Sequence, residues 1–373
     1  MNLFLIAGEA SGDARGAEVM QALLESGDSI AFSGLGGPRM KAIAGAHVQD
    51  WSDRAGVIGI IDVLRNYDFF KKQFDATLSE ILREKPDAVI LIDYPGFNLR
   101  LAAAIKKSNP AQRIIYYISP QVWAWNRGRI PKMARIIDLM ICLFPFEKPL
   151  YEKSGLRTVF VGHPMIDSLG ALKTGVPRDE NLIALLPGSR KREVKKIFPV
   201  MVGASLEILA KRPSTRFEAA ASSVEMQDRM LGILAKQAPG LPCKVMVGGA
   251  HDLMQRACAG VIASGTATME AAFFRLPHVL VYRVAWLTFL IGRRLVKVEW
   301  LGMANILAGR EIVPEFLQGK AQPSPIAEEV LRLAAEGPAR KQFLADIDSV
   351  IAMLGEPGAG RRAAGAILDE VRG

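Results

Sequence analysis

Residues 88–98 read AVILIDYPGFN, and this segment decides the fold that we predict for the chain. Its five apolar residues, Ala88–Ile92, show no alternation, which is typical of a strand buried on both faces of a parallel sheet. Asp93 ends the run, and a Pro-Gly pair turns the chain into a helix predicted to begin near Leu99. Open α/β sheets bind ligands beyond the carboxyl ends of their strands, so Asp93 is a candidate base. Capping of the following turn explains this carboxylate equally well.

The whole chain has 373 residues, a length that favours two domains. Half of the residues are hydrophobic, so sizeable cores are possible, but no uncharged apolar stretch reaches the roughly 18 residues of a membrane span. The formal net charge of +9 is typical of proteins that meet nucleic acid, anionic membranes or phosphorylated substrates, or of a merely solvated basic surface. Since no zinc pattern or nucleic-acid-binding signature is present, we expect no nucleic-acid partner.

Strand, loop and helix alternate along both halves of the chain. The predicted strands are Leu3–Ala7, 30–34, 88–92, 113–118, 138–144 and 159–161 in the first half, and 182–186, 216–220, 244–247, 260–263 and 278–282 in the second. This order predicts an α/β protein with two doubly wound, Rossmann-like domains, residues 1–170 and 171–345. A helical tail, residues 346–373, follows and can pack back on the first domain.

Two loops in the second half have the composition of phosphate-binding loops. Residues 264–268, SGTAT, place a glycine and three hydroxyls at a strand end and helix start, where N–H groups and the helix dipole favour a diphosphate. An ordinary N-capped helix would show the same residues. Glu270 lies further along, where a carboxylate can take two ribose hydroxyls. Residues 187–190, PGSR, form the second loop, and the guanidinium of Arg190 can pair with phosphate.

These loops suggest a nucleotide diphosphate bound mainly by the second domain. A cleft between two doubly wound domains suits sugar transfer, because positive charge on one side can stabilise the departing diphosphate. The acceptor hydroxyl then needs a base on the opposite domain, and Asp93 has a suitable position.

Three further segments combine apolar or aromatic residues with positive charge. Residues 56–74 and 284–300 can lie on a membrane surface, although most helices of this kind only cover a core. Residues 119–125, SPQVWAW, hold two tryptophans that suit sugar or acyl contact or simple packing, and Arg127, Arg129, Lys132 and Arg135 follow them. Three scattered cysteines without metal-type spacing fit a reducing cytoplasm.

An ordered set of short motifs resembles the lipid-A-disaccharide synthases, which are GT-B-fold glycosyltransferases. The matching runs are AGEASGD (7–13), GPRM (37–40), IDYPGFN (92–98), SPQVWAW (119–125), PFE (145–147), GHP (162–164), LLPGSR (185–190), SGTATME (264–270) and NILAGR (305–310). The set covers the chain to about residue 317. Departures from the family pattern are Gly96, where some members have a second aspartate, and Ala304, where proline is common.

The resemblance implies a reaction. UDP-2,3-diacylglucosamine would donate its sugar to the 6-hydroxyl of 2,3-diacylglucosamine 1-phosphate (lipid X), with inversion, to give the β-1,6-linked lipid A disaccharide 1-phosphate and UDP. It implies no cofactor and no metal. The enzyme would work in the cytoplasm, peripherally associated with the anionic surface of the inner membrane, as a monomer or homodimer.

The resemblance also implies roles for individual residues. Asp93 matches the essential aspartate of the family and Arg190 its essential arginine near UDP, so both are expected to be catalytic. The expected substrate-binding residues are Glu9 and Ser11 in the N-terminal cleft loop, Ser189 beside Arg190, Ser264, Gly265, Thr266 and Glu270 in the UDP-binding run, and Asn305 on the nucleotide side.

Two other functions compete with this interpretation. One is a different GT-B enzyme that acts on UDP-N-acetylglucosamine, either a peptidoglycan-type transferase or a 2-epimerase. An epimerase would use carboxylates and a histidine around the sugar, and His163 alone has an obvious cleft position among the four histidines. The other is a non-catalytic protein that binds nucleotide sugars or phospholipids.

Overall fold

The computed structural model describes residues 1–55, 67–284 and 298–373. These residues form two compact units, Met1–Asp167 with Leu354–Gly373, and Ser168–Met353. The first junction, after Asp167, lies three residues before the predicted bound at 170, and the second, after Met353, lies eight residues beyond the predicted bound at 345. Of the two segments considered for membrane contact, residues 56–66 and 285–297 lie outside the described residues. Among the described residues, no helix has both the length and the apolar character needed to span a bilayer.

The first unit is built on a parallel sheet of seven described strands in the order β3-β2-β1-β4-β5-β6-β7. The strands are β1 (Asn2–Ala7), β2 (Ala31–Gly36), β3 (Val48–Asp50), β4 (Ala88–Ile92), β5 (Ile114–Tyr117), β6 (Leu139–Cys142) and β7 (Thr158–Phe160). All five residues of β4 are completely buried between β1 and β5. The prediction of a central strand at residues 88–92 is therefore confirmed, and its unbroken apolar run follows from burial on both faces.

Helices cover both faces of this sheet. They are α1 (Ala10–Leu24), α2 (Pro38–Ala44), α3 (Ser52–Ala55), α4 (Tyr67–Glu84), α5 (Pro95–Ser108), α6 (Val122–Trp125), α7 (Ile130–Met133), α8 (Glu147–Glu152) and α9 (Met165–Gly170), the last of which spans the junction of the units. Alternate residues of β1 point to opposite layers: Leu5 packs in the core that includes Val19 of α1, and Phe4 packs in the core that includes Leu101 of α5.

The second unit repeats the plan with six described strands in the order β10-β9-β8-β11-β12-β13, all parallel. The strands are β8 (Asp179–Leu186), β9 (Arg216–Ala221), β10 (Cys243–Val247), β11 (Ala257–Ala263), β12 (His278–Tyr282) and β13 (Glu315–Leu317). The helices are α10 (Lys191–Lys211), α11 (Val224–Gln237), α12 (Ala250–Arg256), α13 (Thr266–Phe273), α14 (Met303–Ala308), α15 (Pro323–Ala334) and α16 (Pro338–Met353). Two parallel sheets with helices confirm the predicted α/β fold class.

The last helix, α17 (Ala359–Arg372), belongs to the first unit, where it packs against α1. Ala363 and Ile367 are fully buried in the same core as Val19. Exposed ion pairs flank this contact, including Arg372 with Asp28. Because exposed pairs contribute only about 0–1 kcal/mol, burial of the apolar face supplies most of the attachment.

Helix α1 begins earlier than the sequence predicts. Glu9 and Ser11 were both expected in the N-terminal cleft loop, but the helix begins at Ala10. The backbone N–H of Asp13 already donates to the carbonyl of Glu9, at 2.9 Å. Ser11 therefore lies in the first helical turn, where it is exposed.

Candidate active site

Asp93 directly follows the central strand in an unusual backbone conformation. Asp93 and Tyr94 both have left-handed φ angles, 47° and 48°, which cost energy in residues other than glycine. Hydrogen bonds hold this turn: the Asp93 N–H donates to the Tyr117 carbonyl, and the Asp93 carbonyl accepts from the Tyr116 hydroxyl and the Asn98 amide. Asn98 therefore helps to fix this turn from within the protein. Strain retained by such a network is typical of a functional position.

The environment of Asp93 favours its protonated form. Burial, and then the negative charge of Glu9, raise the pKa of the Asp93 carboxyl above its ordinary value. The same two causes, in the same order, raise the pKa of Tyr94 to about 12. A carboxylate with a raised pKa is a stronger proton acceptor than one in water, as a general base requires.

Tyr94 explains the glycine at the end of β1. A Cβ atom on Gly8 would lie 2.4 Å from Cγ of Tyr94, so only glycine admits the aromatic ring here. The Tyr94 hydroxyl donates to the Ala55 carbonyl at 3.0 Å. The small residue at this position therefore makes room for a side chain of the protein itself, rather than for a ligand at this point.

Asp13 connects two of the sequence motifs and was missed by the sequence analysis. Its side chain is buried and accepts hydrogen bonds from the N–H groups of Gly37, Arg39 and Met40, at 2.8–3.0 Å. It thereby satisfies unpaired donors at the first turn of α2. The aspartate that closes the AGEASGD run was visible in the sequence, but nothing there pointed to the GPRM run as its partner.

In the second unit, a cavity of about 360 Å³ lies beyond the carboxyl ends of four strands. The loops after β8, β9, β10 and β11 form its walls. It brings together five of the predicted substrate-site residues: Ser189, Arg190, Ser264, Gly265 and Thr266. Glu9, Ser11 and Asp93 belong to the first unit, and all other predicted site residues belong to the second.

Gly265 contributes bare backbone to the lining of this cavity. Gly265 has a φ of 151°, and a Cβ atom built on it would meet nothing within 4 Å. The Thr268 hydroxyl, by contrast, donates back to the Gly265 carbonyl at 2.8 Å and is buried. Of the three hydroxyl-bearing residues in the SGTAT run, Ser264 and Thr266 line the cavity, at the N-terminus of α13. Unpaired N–H groups at a helix N-terminus favour an anion.

Arg190 stands at the mouth of this cavity with 66% of its side chain exposed. Its Nη1 donates to Oε1 of Glu193 at 3.0 Å, and its backbone N–H donates to the other carboxylate oxygen at 3.3 Å. Tyr282, at the end of β12, lies within electrostatic range of Glu193 and Arg190. Burial, and then the charge of Glu193, raise the pKa of its phenol, while the charge of Arg190 lowers that pKa. Tyr282 is a second residue near the site that the sequence analysis did not identify.

Glu270 lies one helical turn beyond Thr266, and its Oε2 is 3.4 Å from Nε2 of His251. The Glu270 side chain is partly exposed, so it can still take up another partner. His251 follows Gly249 and Ala250 at the start of α12. The two side chains thus form a polar pair beside the cavity.

Asn305 has a different environment. It is fully buried, its Oδ1 accepts from the N–H groups of Ile312 and Val313, and its Nδ2 donates to the Val313 carbonyl and to Glu315, each at 2.8 Å. Glu315 also accepts from the N–H groups of Leu301 and Gly302. Asn305 therefore uses both donors and both acceptor positions within the protein, and it fixes the segment that leads into β13.

Comparison with known sequences gives matches along nearly the whole chain. The sequence model of a family described as lipid-A-disaccharide synthetase matches residues 3–362. A lipid-A-disaccharide synthase from Trichlorobacter lovleyi is 38% identical over 378 residues, covering 99% of this chain and 97% of the relative. Another, from Syntrophus aciditrophicus, is 37% identical over 373 residues, covering 97% of this chain and 96% of the relative.

Comparison with solved structures gives matches of fold. The UDP-N-acetylglucosamine 2-epimerase of Neisseria meningitidis, bound to UDP-GlcNAc, has a TM-score of 0.63 at 10% identity and covers 99% of this chain and 100% of that one. A putative UDP-N-acetylglucosamine 2-epimerase from Listeria monocytogenes has a TM-score of 0.63 at 12% identity and covers 100% and 95%. The predicted GT-B fold class is confirmed.

Proposed function

The chain belongs to the lipid-A-disaccharide synthase family and is a glycosyltransferase, and on this premise we propose the reaction that it catalyses. It transfers the sugar of UDP-2,3-diacylglucosamine to the 6-hydroxyl of 2,3-diacylglucosamine 1-phosphate (lipid X). The products are the β-1,6-linked lipid A disaccharide 1-phosphate and UDP, with inversion at the anomeric carbon. The observation that carries this proposal is the family match along residues 3–362.

Asp93 acts as the base in this proposal. As the acceptor oxygen bonds to the anomeric carbon, the bond from that carbon to the UDP oxygen breaks, and the hydroxyl proton passes to the Asp93 carboxylate. Support comes from the raised pKa of Asp93 and from the hydrogen bonds that fix its strained turn. Glu9 contributes by keeping that pKa raised, and Ser11 exposes a hydroxyl in the adjacent first turn of α1.

The cavity of the second unit receives the diphosphate of UDP. Ser189, Ser264 and Thr266 offer hydroxyls, Gly265 offers bare backbone, and the α13 N-terminus offers unpaired N–H groups. Arg190 supplies the full positive charge that stabilises the diphosphate as it leaves. Its ion pair with Glu193 keeps the guanidinium at the mouth of the cavity before substrate arrives.

Glu270 accepts hydrogen bonds from the ribose hydroxyls of UDP, with His251 orienting the carboxylate from its other side. For Asn305 we propose an indirect part on the nucleotide side. Because its amide is fully used within the protein, it acts through the segment that it holds, including Glu315.

The proposed enzyme works peripherally at the anionic cytoplasmic surface of the inner membrane, as a monomer or homodimer. Both substrates carry acyl chains, so they must be taken from a bilayer, and the formal net charge of +9 favours an anionic one. The likeness to 2-epimerases does not favour that activity here, because it is a likeness of fold at 10–12% identity.

The test of this function is incubation of the protein with both diacylated substrates dispersed in detergent. We expect disaccharide 1-phosphate and UDP in equal amounts, detected by mass spectrometry and a coupled UDP assay. UDP-N-acetylglucosamine offered alone should neither epimerise nor release UDP. Formation of the 2-epimer without disaccharide would overturn the proposal.

The acid side of the pH profile gives a second test, through Glu9. Because the negative charge of Glu9 raises the pKa of Asp93, Glu9→Gln should lower that pKa. The base is active when deprotonated, so the fall of kcat/KM at low pH should move to lower pH in the variant. Glu25→Gln, at the other end of α1, is the matched control and should leave the profile in place. A shift to higher pH would contradict the electrostatic role of Glu9.

A further inference from the structure

A further cavity of the second unit, of about 560 Å³, lies at the amino edge of its sheet. Arg178 directly precedes β8 and Arg275 lies three residues before β12, so both stand where strands begin. The cavity that Arg190 and Ser264 line lies at the opposite edge, beyond the carboxyl ends of the strands. Among the described residues the two cavities share no lining residue, so the amino-edge cavity is a separate feature.

Positive charge dominates the amino-edge cavity. Of the described residues that line it, one is an acid, Glu336, and five are cations: Lys173, Arg178, Arg275, Arg340 and Lys341. Arg275 pairs with Asp348 at 3.0 Å, which leaves four cations and Glu336. A concave surface lined by one sign of charge concentrates ions of the opposite sign. Its electrostatics therefore favour an anion.

Backbone carbonyls hold Arg178 in the wall of this cavity. Its Nη1 donates to the carbonyls of Met254 and Ala257, and its Nη2 donates to the carbonyl of Phe274. Burial, and then the charge of Arg340, lower the pKa of Arg178 to about 10, which leaves the guanidinium charged at neutral pH. Its Nε has no acceptor among the described residues. Carbonyl dipoles thus fix this cation without supplying a full negative charge.

Arg340 is buried within electrostatic range of Arg178. Its Nη1 donates to the Cys258 carbonyl at 2.9 Å, and its Nε lies 3.5 Å from Oε1 of Glu336, whose side chain is 76% exposed. Solvent screens such an exposed partner, so Glu336 compensates little of the charge. Nη2 of Arg340 donates to no atom in the part of the chain that the structure describes. The two guanidinium groups therefore keep N–H donors for a ligand, and their planar geometry matches phosphate oxygens.

Two exposed lysines add to this charge. Nζ of Lys173 lies 4.4 Å from the ring centre of Phe273, which is itself buried in the lining, so a cation–π contact holds the ammonium there. Lys341 follows Arg340 on α16. Neither lysine forms an ion pair with any residue that the structure describes. Both ammonium groups are therefore available to an anion.

We propose that the amino-edge cavity, formed around Lys173, Arg178, Arg340 and Lys341, binds a phosphate group, either as free phosphate or as the phosphomonoester of a small metabolite. The dianion accepts from the unused N–H groups of the two arginines, and the lysines supply further donors. The cavity volume is within the range of small-molecule sites and leaves room for an organic part. Because the site lies at the opposite edge from the cavity proposed for UDP, both ligands can be bound together.

Calorimetric titration with inorganic phosphate at constant ionic strength tests this site in the full chain. With saturating UDP present, wild-type protein should bind one phosphate per chain. Lys173→Gln/Lys341→Gln should weaken this binding at least tenfold, because it removes two charged donors, and phosphate should raise the unfolding temperature of wild type more than that of the variant. Glucose 6-phosphate separates the two sources: tighter binding than inorganic phosphate identifies a phosphomonoester, and equal or weaker binding identifies free phosphate.

The matched control is Lys236→Gln/Lys244→Gln, which removes two exposed lysines from the same edge of the same sheet. Lys236 lies in the last turn of α11 and Lys244 near the start of β10, and neither lines the amino-edge cavity. This variant should bind phosphate within about twofold of wild type. Equal losses in the two lysine pairs, or no phosphate binding by wild type, would overturn the proposed site.

A third variant separates this site from the cavity proposed for UDP. Arg190→Ala should bind inorganic phosphate as wild type does, since Arg190 does not line the amino-edge cavity. Lys173→Gln/Lys341→Gln should in turn keep the wild-type affinity for UDP, which also shows that it is folded. Loss of phosphate binding in Arg190→Ala, with none in Lys173→Gln/Lys341→Gln, would assign the phosphate to the other cavity and overturn the proposal.

Discussion

Replacement of Asp93 by asparagine should lower kcat about a thousandfold, within the range expected for loss of a general base. The amide keeps the size of the side chain but takes no proton. The hydrogen bonds from Asp93 to Tyr116, Tyr117 and Asn98 are made by the backbone N–H and carbonyl of Asp93, not by its carboxylate, so the turn should persist. Initial rates with both diacylated substrates measure the effect, and UDP affinity, measured by titration calorimetry, should remain within about threefold of wild type.

The stability of this variant provides a control with a definite sign. The pKa of Asp93 in the folded protein lies above that of an unfolded aspartate, so its charged form is disfavoured by folding. This penalty is absent at low pH and grows as pH rises through the folded-state pKa. At neutral pH, Asp93→Asn should therefore unfold at the same temperature as wild type or a higher one.

Asp87→Asn is the matched substitution at the opposite end of the same strand. Asp87 is exposed and accepts from the Asn2 N–H, which an amide oxygen can also do. It should retain at least half of the wild-type rate. If Asp93→Asn turns over at a rate similar to Asp87→Asn, Asp93 is not the base.

Replacement of Arg190 by alanine should lower kcat/KM by about 10²- to 10³-fold, the usual effect of removing one group that stabilises developing charge. Its guanidinium is the cation at the mouth of the cavity that Ser189, Ser264 and Thr266 line. Part of this loss should be weaker UDP binding, because the diphosphate is negatively charged both in bound UDP and as it leaves in the transition state. Steady-state rates and calorimetric titration with UDP measure the two parts.

Arg192→Ala controls for general loss of positive charge on the same helix. Arg192 is exposed in the first turn of α10, two residues beyond Arg190, and does not line the cavity. It should change kcat/KM by less than about threefold, in line with the weak effect of a screened surface charge. If the two substitutions had equal effects, Arg190 would contribute only general positive charge and would have no specific contact with the diphosphate.

Long apolar runs predicted the interior of the fold well. The strands at residues 88–92 and 278–282 have the predicted bounds. Burial explains the pattern of each element, because buried positions require apolar residues and so produce a continuous or periodic apolar pattern in the sequence. By contrast, β3 (Val48–Asp50) and β13 (Glu315–Leu317) were not predicted. Both are three-residue strands at sheet edges that pair on one side only, so burial leaves almost no pattern in them.

The site shows the same division between what is local and what is distant. The sequence singled out Asp93, Arg190 and residues 264–266 because a strand end followed by glycine, hydroxyl or charge is a local pattern. It could not show that Asp13 accepts from Gly37, Arg39 and Met40, since 24 to 27 residues separate these partners. Nor could it show that Tyr282 lies near Arg190, which depends on the position of β12 in the sheet.

By itself, the sequence determined the α/β class, the central strand at residues 88–92 and the carboxylate that ends it, because burial and turn chemistry act on neighbours in the chain. Only the tertiary structure decided what surrounds that carboxylate. Burial, and then Glu9, raise its pKa, and Tyr116 and Asn98 hold its strained turn. The tertiary structure also exposed Trp125 while burying Trp123. Electrostatic effects and solvent exposure depend on distances between residues that are far apart in the chain. These distances are fixed only when the sheets have formed.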